Sequence, residues 1–448
     1  MKKVITYGTF DLFHKGHRRI LERAKQMGDY LIVGVTGEDY DQERGKLNVD
    51  QSLEERIENV KKSGLADMVI VEDHEGQKIS DIQKYEVDFF VIGSDWRGKF
   101  DYLNEFCEVK YLDRTKGVSS TELRISKNKI IRLGLVGAGR IANKFIPESK
   151  YVSGIEVVGV YTPNLESAKN FSKKYELEFY TEDYEELIEK VDAVYIAAPN
   201  KYHYSLSKKA ILSKKHVLCE KPIVLKKEEL KELFDLADEN NVVIMEAIKT
   251  VYSPGFQRLV EIAKSGLIGE IKDVEACFTK LSFGNIRELN IDDGGSVNEL
   301  GTYPLAGIVK LLGKPEKVEY ISNIVNGIDG YTKIFLKYEN AIATAKIGLK
   351  VKSEGGMHIV GTKGYIKVTE PWWLTKEFEI FYEDSNKNKK FFYKFDGDGL
   401  RYETAKFVKI IKNKQKESWK FRRENSLIIS KILEDYHKRK EINKIITF

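Results

Sequence analysis

Short apolar runs alternate with amphipathic stretches over the first 126 residues, which predicts strands that alternate with helices. The predicted strands cover residues 4–7, 30–36, 68–71, 89–92 and 109–111. The predicted helices cover residues 18–27, 53–62 and 79–85. Because such alternation is typical of a parallel sheet with helices on its faces, we expect an α/β domain here, a Rossmann-like fold.

A second alternation begins after the polar linker at 126–129, with an apolar run that ends at Val136. It predicts strands at 156–161 and 193–198 and helices at 143–149, 165–175, 184–189, 400–412 and 424–438. Between residues 318 and 393, apolar and polar positions alternate, which predicts a mostly antiparallel sheet. We therefore expect three domains: residues 1–126; residues 130–250, with a Rossmann fold; and residues 251–448, an α+β domain whose last helices return to the Rossmann domain.

Composition narrows the class of protein without deciding its function. Of the 448 residues, 42% are hydrophobic and 32% are charged, and the net charge of +5 is dispersed along the chain. Charge of this kind gives little reason to expect a nucleic-acid or membrane partner. No signal peptide or 18-residue apolar span is visible, so we expect a cytoplasmic protein. Its three cysteines lack zinc-site spacing, and we expect them to be reduced and buried.

Two histidines lie three residues apart around a glycine, in the sequence His14-Lys15-Gly16-His17, where a helix is predicted to begin. The positive end of a helix attracts phosphate, and both imidazoles could point at a triphosphate. Paired imidazoles can stabilise charge on the α-phosphate and on the departing pyrophosphate during nucleotidyl transfer. The alternative is that both histidines are merely polar residues of a loop.

A glycine-rich fingerprint follows Val136 and reads Gly137-Ala138-Gly139-Arg140-Ile141-Ala142. This spacing, between a buried strand and a helix, is typical of a turn that binds the pyrophosphate of a dinucleotide. We therefore expect four of its residues to bind NAD(P): Gly137, Gly139, Arg140 and Ile141.

The end of the next strand bears on the choice between NADH and NADPH. It reads Tyr161-Thr162-Pro163-Asn164, without the carboxylate that would bind the ribose 2′-hydroxyl. Since a 2′-phosphate would meet no repulsion there, Thr162 and Asn164 favour NADPH.

The first domain resembles the glycerol-3-phosphate cytidylyltransferases in three ordered motifs, at residues 7–17, 93–100 and 114–121. The resemblance implies that His14 and His17 stabilise the transferred phosphate, with Mg²⁺ as the counter-ion of CTP and no metal site assigned to the protein alone. It also implies a set of further CTP-binding residues: Thr9, Phe10, Asp11, Lys46, Asp95, Arg114, Ser119, Ser120 and Thr121. The alternatives are that Asp11 caps a helix and that Asp95 belongs to a turn.

Residues 197–204 and 216–222 resemble the glucose-fructose oxidoreductase and inositol dehydrogenase family, called Gfo/Idh/MocA. The resemblance implies that Lys221 contacts the reacting oxygen and that Glu220 fixes the local geometry. It places further residues beside the cofactor: Ala198, Pro199, Asn200 and His203. The alternative for Lys221 is a solvated surface charge.

The stretch 293–304 resembles the part of that family that carries a carboxylate and, one helical turn later, a His or Tyr near the substrate. Here these residues are Glu299 and Tyr303, which share a face of a helix because they are four apart. Tyr303 could give a proton to the developing alkoxide, with Lys221 lowering the cost of its ionisation. The alternative is that Tyr303 is a core aromatic residue.

Together these features predict a bifunctional enzyme that makes a CDP-activated polyol for a cell-surface polymer. Its first module would transfer cytidylyl from CTP to a small sugar or polyol phosphate. Its second would reduce a keto group with NAD(P)H, before or after that transfer. We expect a homodimer or higher oligomer. The alternatives are an oxidoreductase module with an unrelated substrate, or one that only senses nucleotides.

Overall fold

The computed structural model describes residues 1–43, 46–74, 76–113, 130–284, 287–291, 294–441 and 446–447. They form two compact units, residues 1–132 with 149–182, and residues 133–148 with 183–448. Among the described helices, none is both long and apolar enough to cross a membrane.

The first sheet has the strand order β3-β2-β1-β4-β5, and its recorded pairings are all parallel. Its strands are β1 (Lys3–Gly8), β2 (Tyr30–Thr36), β3 (Met68–Glu72), β4 (Phe89–Gly93) and β5 (Glu108–Leu112). The helices of this region are α1 (Lys15–Lys25), α2 (Glu38–Glu43), α3 (Leu53–Lys62) and α4 (Gln77–Tyr85).

Both faces of this sheet are buried. Alternate residues of each strand point to opposite sides, so each face has its own set of apolar side chains. On β2, Leu31 and Val33 pack with Val60 of α3, whereas Ile32 packs on the other face with Ile82 of α4. Continuous apolar strands are what a parallel sheet covered on both sides requires.

The second sheet has the order β11-β10-β9-β6-β7-β8. Its strands are β6 (Ile131–Val136), β7 (Ile155–Tyr161), β8 (Phe179–Thr181), β9 (Ala193–Ile196), β10 (His216–Glu220) and β11 (Ile244–Ala247). The connecting helices are α5 (Arg140–Ser149), α6 (Leu165–Tyr175), α7 (Tyr184–Glu189), α8 (His203–Leu212) and α9 (Lys227–Glu239). This is the dinucleotide-binding topology that the glycine fingerprint predicts.

The third sheet has the order β19-β18-β17-β16-β12-β15-β14-β13-β20 and is antiparallel except where β12 meets β15 and β13 meets β20. Its longer strands are β12 (Ile271–Thr279), β13 (Lys317–Val325), β14 (Ile328–Lys337), β15 (Ile342–Gly348) and β16 (Met357–Gly361). Its shorter strands are β17 (Tyr365–Val368), β18 (Glu377–Phe381), β19 (Lys389–Phe392) and β20 (Ile446–Thr447).

The helices after β11 are α10 (Lys249–Tyr252), α11 (Pro254–Lys264), α12 (Ser296–Leu300), α13 (Thr302–Leu312), α14 (Leu400–Lys412) and α15 (Arg423–Glu441). The last two pack back onto the strands and helices around β10 and β11. Ser426 of α15 donates a hydrogen bond to Glu246 of β11 at 2.6 Å, and Arg423 pairs with Asp238 of α9 at 2.9 Å.

The predicted α/β class and the mostly antiparallel last sheet are confirmed, but several details differ from expectation. Helix α1 begins three residues before the predicted start, because His14 accepts the Gly16 N–H and so acts as its N-cap. Of the cysteines expected to be buried, Cys219 and Cys277 are buried, whereas Cys107, just before the edge strand β5, is half-exposed.

Candidate active sites

The two histidines of the first unit stack on each other at the start of α1. Their ring centroids are 3.8 Å apart, with an angle of 24° between the ring planes. His17 also lies edge-on to Phe10, with centroids 5.3 Å apart. Desolvation of the His17 ring, helped by the nearby His14 and Lys46 side chains, holds its pKa well below the usual value, so that it is neutral at neutral pH.

Hydrogen bonds fix the same tautomer on both rings. The Gly16 N–H donates to Nδ1 of His14 at 3.1 Å, and the His14 N–H donates to Nδ1 of His17 at 3.4 Å. Since each neutral ring accepts at Nδ1, its proton is on Nε2, where it can be donated to a ligand. Gly16 is required between them, because a Cβ there would lie 2.8 Å from Cε1 of His14.

The loop before the histidines is held from behind by a buried arginine. Arg56 of α3 donates to the carbonyl oxygens of Thr9 at 2.8 Å and Thr36 at 2.7 Å, and pairs with Asp41 at 3.4 Å. Thr9 in turn donates to Asp41 at 2.8 Å. Phe10 of this loop has a φ of 51°, a conformation that a side chain rarely adopts and that a rigid surround must impose.

Asp11 accepts the backbone N–H groups of Asp50 and Gln51 at 3.0–3.2 Å, just before α3. These bonds favour the structural alternative, in which Asp11 organises the approach to a helix. Its contact with CTP stays a prediction.

The remaining predicted CTP residues are placed only in part. The Lys46 ammonium is close enough to act on the pKa of His17, and it also donates to the Lys150 carbonyl at 2.8 Å. Asp95 lies in a short 3₁₀ segment, Ser94–Trp96, directly after β4. Four predicted residues lie outside the described part of the chain: Arg114, Ser119, Ser120 and Thr121.

The glycine turn after β6 has the space that a dinucleotide needs. Gly137 has a φ of +107°, and a Cβ on it would lie 2.8 Å from the Ala197 carbonyl oxygen, so only glycine fits there. A Cβ on Gly139 would have no atom within 4 Å, which leaves open space at the start of α5. The residues present therefore fit a pyrophosphate at a helix N-terminus.

The other predicted cofactor residues, at the start of α5 and in the segment after β7, are partly engaged by the protein. Arg140, the first residue of α5, donates to Glu288 at 2.9 Å, and Ile141 beside it is half-buried. Asn164 accepts the Ser167 N–H at 2.8 Å and so caps α6, two residues after Thr162 at the end of β7.

His203 connects the two loops that follow β9 and β10. Its ring is fully buried, with Nδ1 2.9 Å from the Pro222 carbonyl oxygen and Nε2 2.9 Å from the Ala198 carbonyl oxygen. Pro199 and Asn200 lie between Ala198 and this ring, at the start of a 3₁₀ turn. Because protein carbonyls occupy both ring nitrogens, this geometry supports a positioning role, and direct contact with the cofactor stays a prediction.

The predicted lysine, glutamate and tyrosine come together in the second unit. The Lys221 ammonium donates to the backbone carbonyl of Glu299 at 2.9 Å and lies 5.5 Å from the centroid of the Tyr303 ring. Burial, together with the Glu220 and Glu403 carboxyl groups, raises the pKa of Tyr303 well above its usual value. The phenol therefore keeps its proton at neutral pH, as a proton donor must.

Two glutamates contact Lys221, one through its carboxylate and the other through its backbone carbonyl. Glu220, on the last residue of β10, accepts the Tyr195 hydroxyl at 2.6 Å and the Lys221 N–H at 3.2 Å. Glu299 is buried, and its carboxylate pairs with Arg287 at 2.7 Å. The Arg287 contact was not expected, because no spacing in the sequence connects the two residues.

The helix that carries Glu299 and Tyr303 is broken in two. Helix α12 ends at Leu300 and α13 begins at Thr302, although the joining Gly301 keeps helical dihedral angles. Pro304 accounts for the break, since it has no N–H to donate to the Leu300 carbonyl.

Different known proteins match the parts of the chain before and after residues 126–129. Residues 5–126 match the cytidylyltransferase-like family model. Residues 131–248 match the oxidoreductase family with an NAD-binding Rossmann fold, and residues 256–367 match a Gfo/Idh/MocA C-terminal domain. Glycerol-3-phosphate cytidylyltransferase of Bacillus spizizenii is 54% identical over 124 residues, 28% of this chain and 95% of that protein. An uncharacterised oxidoreductase of Rhizobium meliloti is 30% identical over 253 residues, 54% of this chain and 75% of that protein.

The chain belongs to both families, cytidylyltransferase and Gfo/Idh/MocA oxidoreductase. The NADP-dependent scyllo-inositol 2-dehydrogenase of Bacillus subtilis is 27% identical over 69% of this chain and 97% of its own. Among solved structures, the 3-ketoreductase KijD10 of Actinomadura kijaniata with NADP and TDP-benzene has a TM-score of 0.63 at 22% identity, covering 71% of this chain and 99% of its own. This likeness shows the fold of the Gfo/Idh/MocA part.

The residues that sequence reasoning missed support the two family motifs from behind. In the cytidylyltransferase part these are Asp41 and Gln51, the latter accepting the Leu12 N–H at 2.8 Å. In the Gfo/Idh/MocA part these are Arg287 and Glu403. Groups of three or more His, Cys, Asp or Glu side chains that could hold a metal ion are not found within the described residues.

Proposed function

We propose that this chain makes a CDP-activated polyol in two steps. The first module joins CTP to a small sugar or polyol phosphate and releases pyrophosphate. The second reduces a keto group, either on the ketose phosphate before transfer or on the CDP-ketose after it. The observation that carries the proposal is the fusion of a cytidylyltransferase to an oxidoreductase whose lysine and tyrosine lie together.

In the first step, a phosphate oxygen of the acceptor attacks the α-phosphorus of CTP, and the bond to pyrophosphate breaks. His14 and His17 donate from Nε2 to the phosphate oxygens on which charge develops. Thr9, Phe10 and Lys46 line the triphosphate, and Mg²⁺ enters as the counter-ion of CTP.

The second step needs a hydride donor, which NAD(P)H supplies when bound. As hydride reaches the carbonyl carbon, the carbonyl electrons move to oxygen and Tyr303 gives that oxygen its proton. The Lys221 ammonium lies near the Tyr303 ring and stabilises the negative charge left on the phenol. Glu220 and Glu299 hold the lysine in place.

Cofactor choice and assembly complete the proposal. The absence of a carboxylate between Tyr161 and Asn164 favours NADPH over NADH. Exposed apolar residues of the third sheet, Ile342, Val360 and Tyr365, favour pairing of two copies through that sheet. We assign residues 1–126 to cytidylyl transfer, residues 130–250 to the cofactor and residues 251–448 to substrate and dimerisation, with the product entering a cell-surface polymer.

The test is to incubate the full chain with CTP, NADPH and a panel of ketose phosphates, and to identify the products by mass. The panel includes dihydroxyacetone, pentulose and hexulose phosphates and their alditols. We expect one acceptor to give a CDP-polyol with matching consumption of NADPH. Omitting CTP or NADPH in turn identifies the order, since only the first reaction proceeds without the other cosubstrate.

Three outcomes would replace the proposal. A CDP-linked product without oxidation of NADPH by any ketose would favour a nucleotide-sensing second module. NADPH oxidation only with compounds that the first module does not use would favour an unrelated substrate. The lack of a CDP-linked product from every acceptor would refute the first step.

A further inference from the structure

Lys249 lies at the edge of the second sheet where the reductase residues gather. In the register of β10 and β11, Glu220 pairs with Ala247, and Lys249 begins α10 two residues later. Parallel strands bring their carboxyl ends to one edge, and open α/β sheets bind their ligands there. Lys249 therefore begins α10 at the sheet edge where Lys221 follows β10.

Its surroundings are those of the proton donor. Three carboxyl groups act to raise the pKa of Lys249, against the effect of burial: Asp398, Glu403 and Glu220. The same three act to raise the pKa of Tyr303. Lys249 and Tyr303 therefore share three carboxyl neighbours, although Lys144 also acts on Lys249 and Arg140 on Tyr303.

Two of those carboxyl groups have partners of their own, and the third is fully buried. Asp398 pairs with Lys144 at 2.8 Å, and Glu220 accepts the Tyr195 hydroxyl. Glu403 is fully buried, neither of its oxygens has a hydrogen-bond partner among the described residues, and burial raises its pKa well above the usual value. None of the three forms an ion pair with Lys249.

Lys249 is half-buried, and within the described residues its ammonium has neither a hydrogen bond nor an ion pair. Burial lowers its pKa for that reason. An ammonium held there without a direct ion pair or hydrogen bond is costly, and a site that keeps one is suited to an anionic ligand.

We propose that Lys249 selects phosphorylated ketoses in the reductase site by pairing its ammonium with the phosphate or diphosphate of the substrate. The proposal rests on the proposed function, in which either order of reaction presents the second module with a ketose that carries phosphate. Lysine binds phosphate well as a point charge.

The test compares NADPH oxidation by one ketose in three forms: free, phosphorylated and CDP-linked. The variants are Lys249→Met, which keeps the length of the side chain, Lys249→Arg, which keeps its charge, and Lys314→Met as an exposed control. We expect wild type to prefer an anionic form in kcat/KM. Lys249→Met should reduce that preference about 10- to 100-fold, and Lys249→Arg should retain most of it.

Activity on the free ketose and the melting temperature separate selection from a structural role. Lys249→Met should lower activity on the free ketose far less than activity on the anionic form, and its melting temperature should not fall, because no protein partner loses an ion pair. This inference is overturned if Lys249→Met keeps the wild-type preference for the anionic ketose, or if wild type reduces the free and phosphorylated forms equally well. Either result leaves the ketoreductase function standing. If no form of any ketose is reduced, the proposed function fails and this inference fails with it. If wild type prefers the phosphorylated ketose, Lys249 binds a phosphate monoester; if it prefers the CDP-linked ketose, Lys249 binds a diphosphate.

Discussion

The two candidate sites are built in different ways. His14 and His17 are three residues apart, and one turn of chain sets their stacking, their tautomers and the need for Gly16 between them. The reductase group joins Lys221 to Glu299 across 78 residues of sequence. One site is local and the other depends on the docking of distant elements.

This difference determines what each site tolerates. A local site needs its own loop to be fixed in position. The buried Arg56 does this by a hydrogen bond to the backbone of that loop. A site built from distant elements needs its charges balanced within the core, and around Tyr303 several carboxyl groups are buried or nearly so. We therefore expect changes at the first site to affect chemistry alone, and changes near the second to affect stability and pH response as well.

The largest expected effect is the loss of cytidylyl transfer in His17→Ala. Removing one of two phosphate-directed imidazoles should lower kcat about 10³-fold, because charge on the α-phosphate loses a donor. The measurement is pyrophosphate release from CTP, with NADPH oxidation followed in the same preparation.

The control for this variant is His74→Ala, which removes an exposed histidine from the same unit. It should leave pyrophosphate release unchanged. A His17→Ala protein that transfers cytidylyl at the wild-type rate would show that the stacked rings have no role in the reaction. A loss of NADPH oxidation in His17→Ala, measured with the substrate of the second module supplied ready-made, would contradict the independence of the two sites.

The next effect concerns stability near the second site and its dependence on pH. Glu246 accepts the Ser426 hydroxyl and the Ile223 N–H, and burial raises its pKa from 4.5 to about 7. Between those values the folded chain keeps a proton that the unfolded chain has lost. The contribution of Glu246 to the free energy of unfolding is therefore complete below pH 4.5 and falls by about 1.4 kcal/mol per pH unit up to pH 7.

Glu246→Gln should remove this slope, because the amide can serve both partners without titrating. Urea unfolding at pH 5 and pH 8 should show the variant gaining on wild type by on the order of 3 kcal/mol between the two. Glu339→Gln, at an exposed position, is the matched control and should follow wild type. Equal slopes in all three proteins would mean that Glu246 is ionised in the fold at pH 5.

The same contrast between local and distant contacts explains what could be predicted from sequence. Helix α3 has the predicted bounds, and the structure shows a capping box of Ser52 and Glu55 at its start. Helix α1 began earlier than predicted, since a histidine rarely caps a helix.

Contacts between distant parts of the chain were the ones missed. The role of Arg56 behind the Thr9 loop and the pairing of Arg287 with Glu299 depend on tertiary packing that no periodicity encodes. Lys221 and Tyr303 were brought together by family resemblance rather than by spacing. Lys249 gave no signal, because one lysine after a strand resembles any surface charge.

A smaller effect on catalysis should follow Tyr303→Phe. The ring would keep its packing against Phe278, with centroids 5.4 Å apart, and its contact with Lys221, so only the proton donor is lost. We expect kcat for ketone reduction to fall about 10²-fold with little change in KM. Tyr180→Phe, which alters an exposed tyrosine outside the third sheet, should leave both constants unchanged. An unaltered kcat in Tyr303→Phe would assign the proton to another group.

The smallest effects should come from replacing two glycines of one turn. One replacement should reduce stability, and the other should reduce affinity for NADPH. Gly137→Ala forces a side chain to a φ of +107° and a Cβ to 2.8 Å from the Ala197 carbonyl oxygen, so it should lose about 1–3 kcal/mol of stability. Gly139→Ala meets no protein atom within 4 Å, so its melting temperature should hold while its Kd for NADPH rises about tenfold. Fluorescence titration and thermal unfolding of both variants measure this. If Gly139→Ala binds NADPH as tightly as wild type, the open space beside α5 does not hold the pyrophosphate.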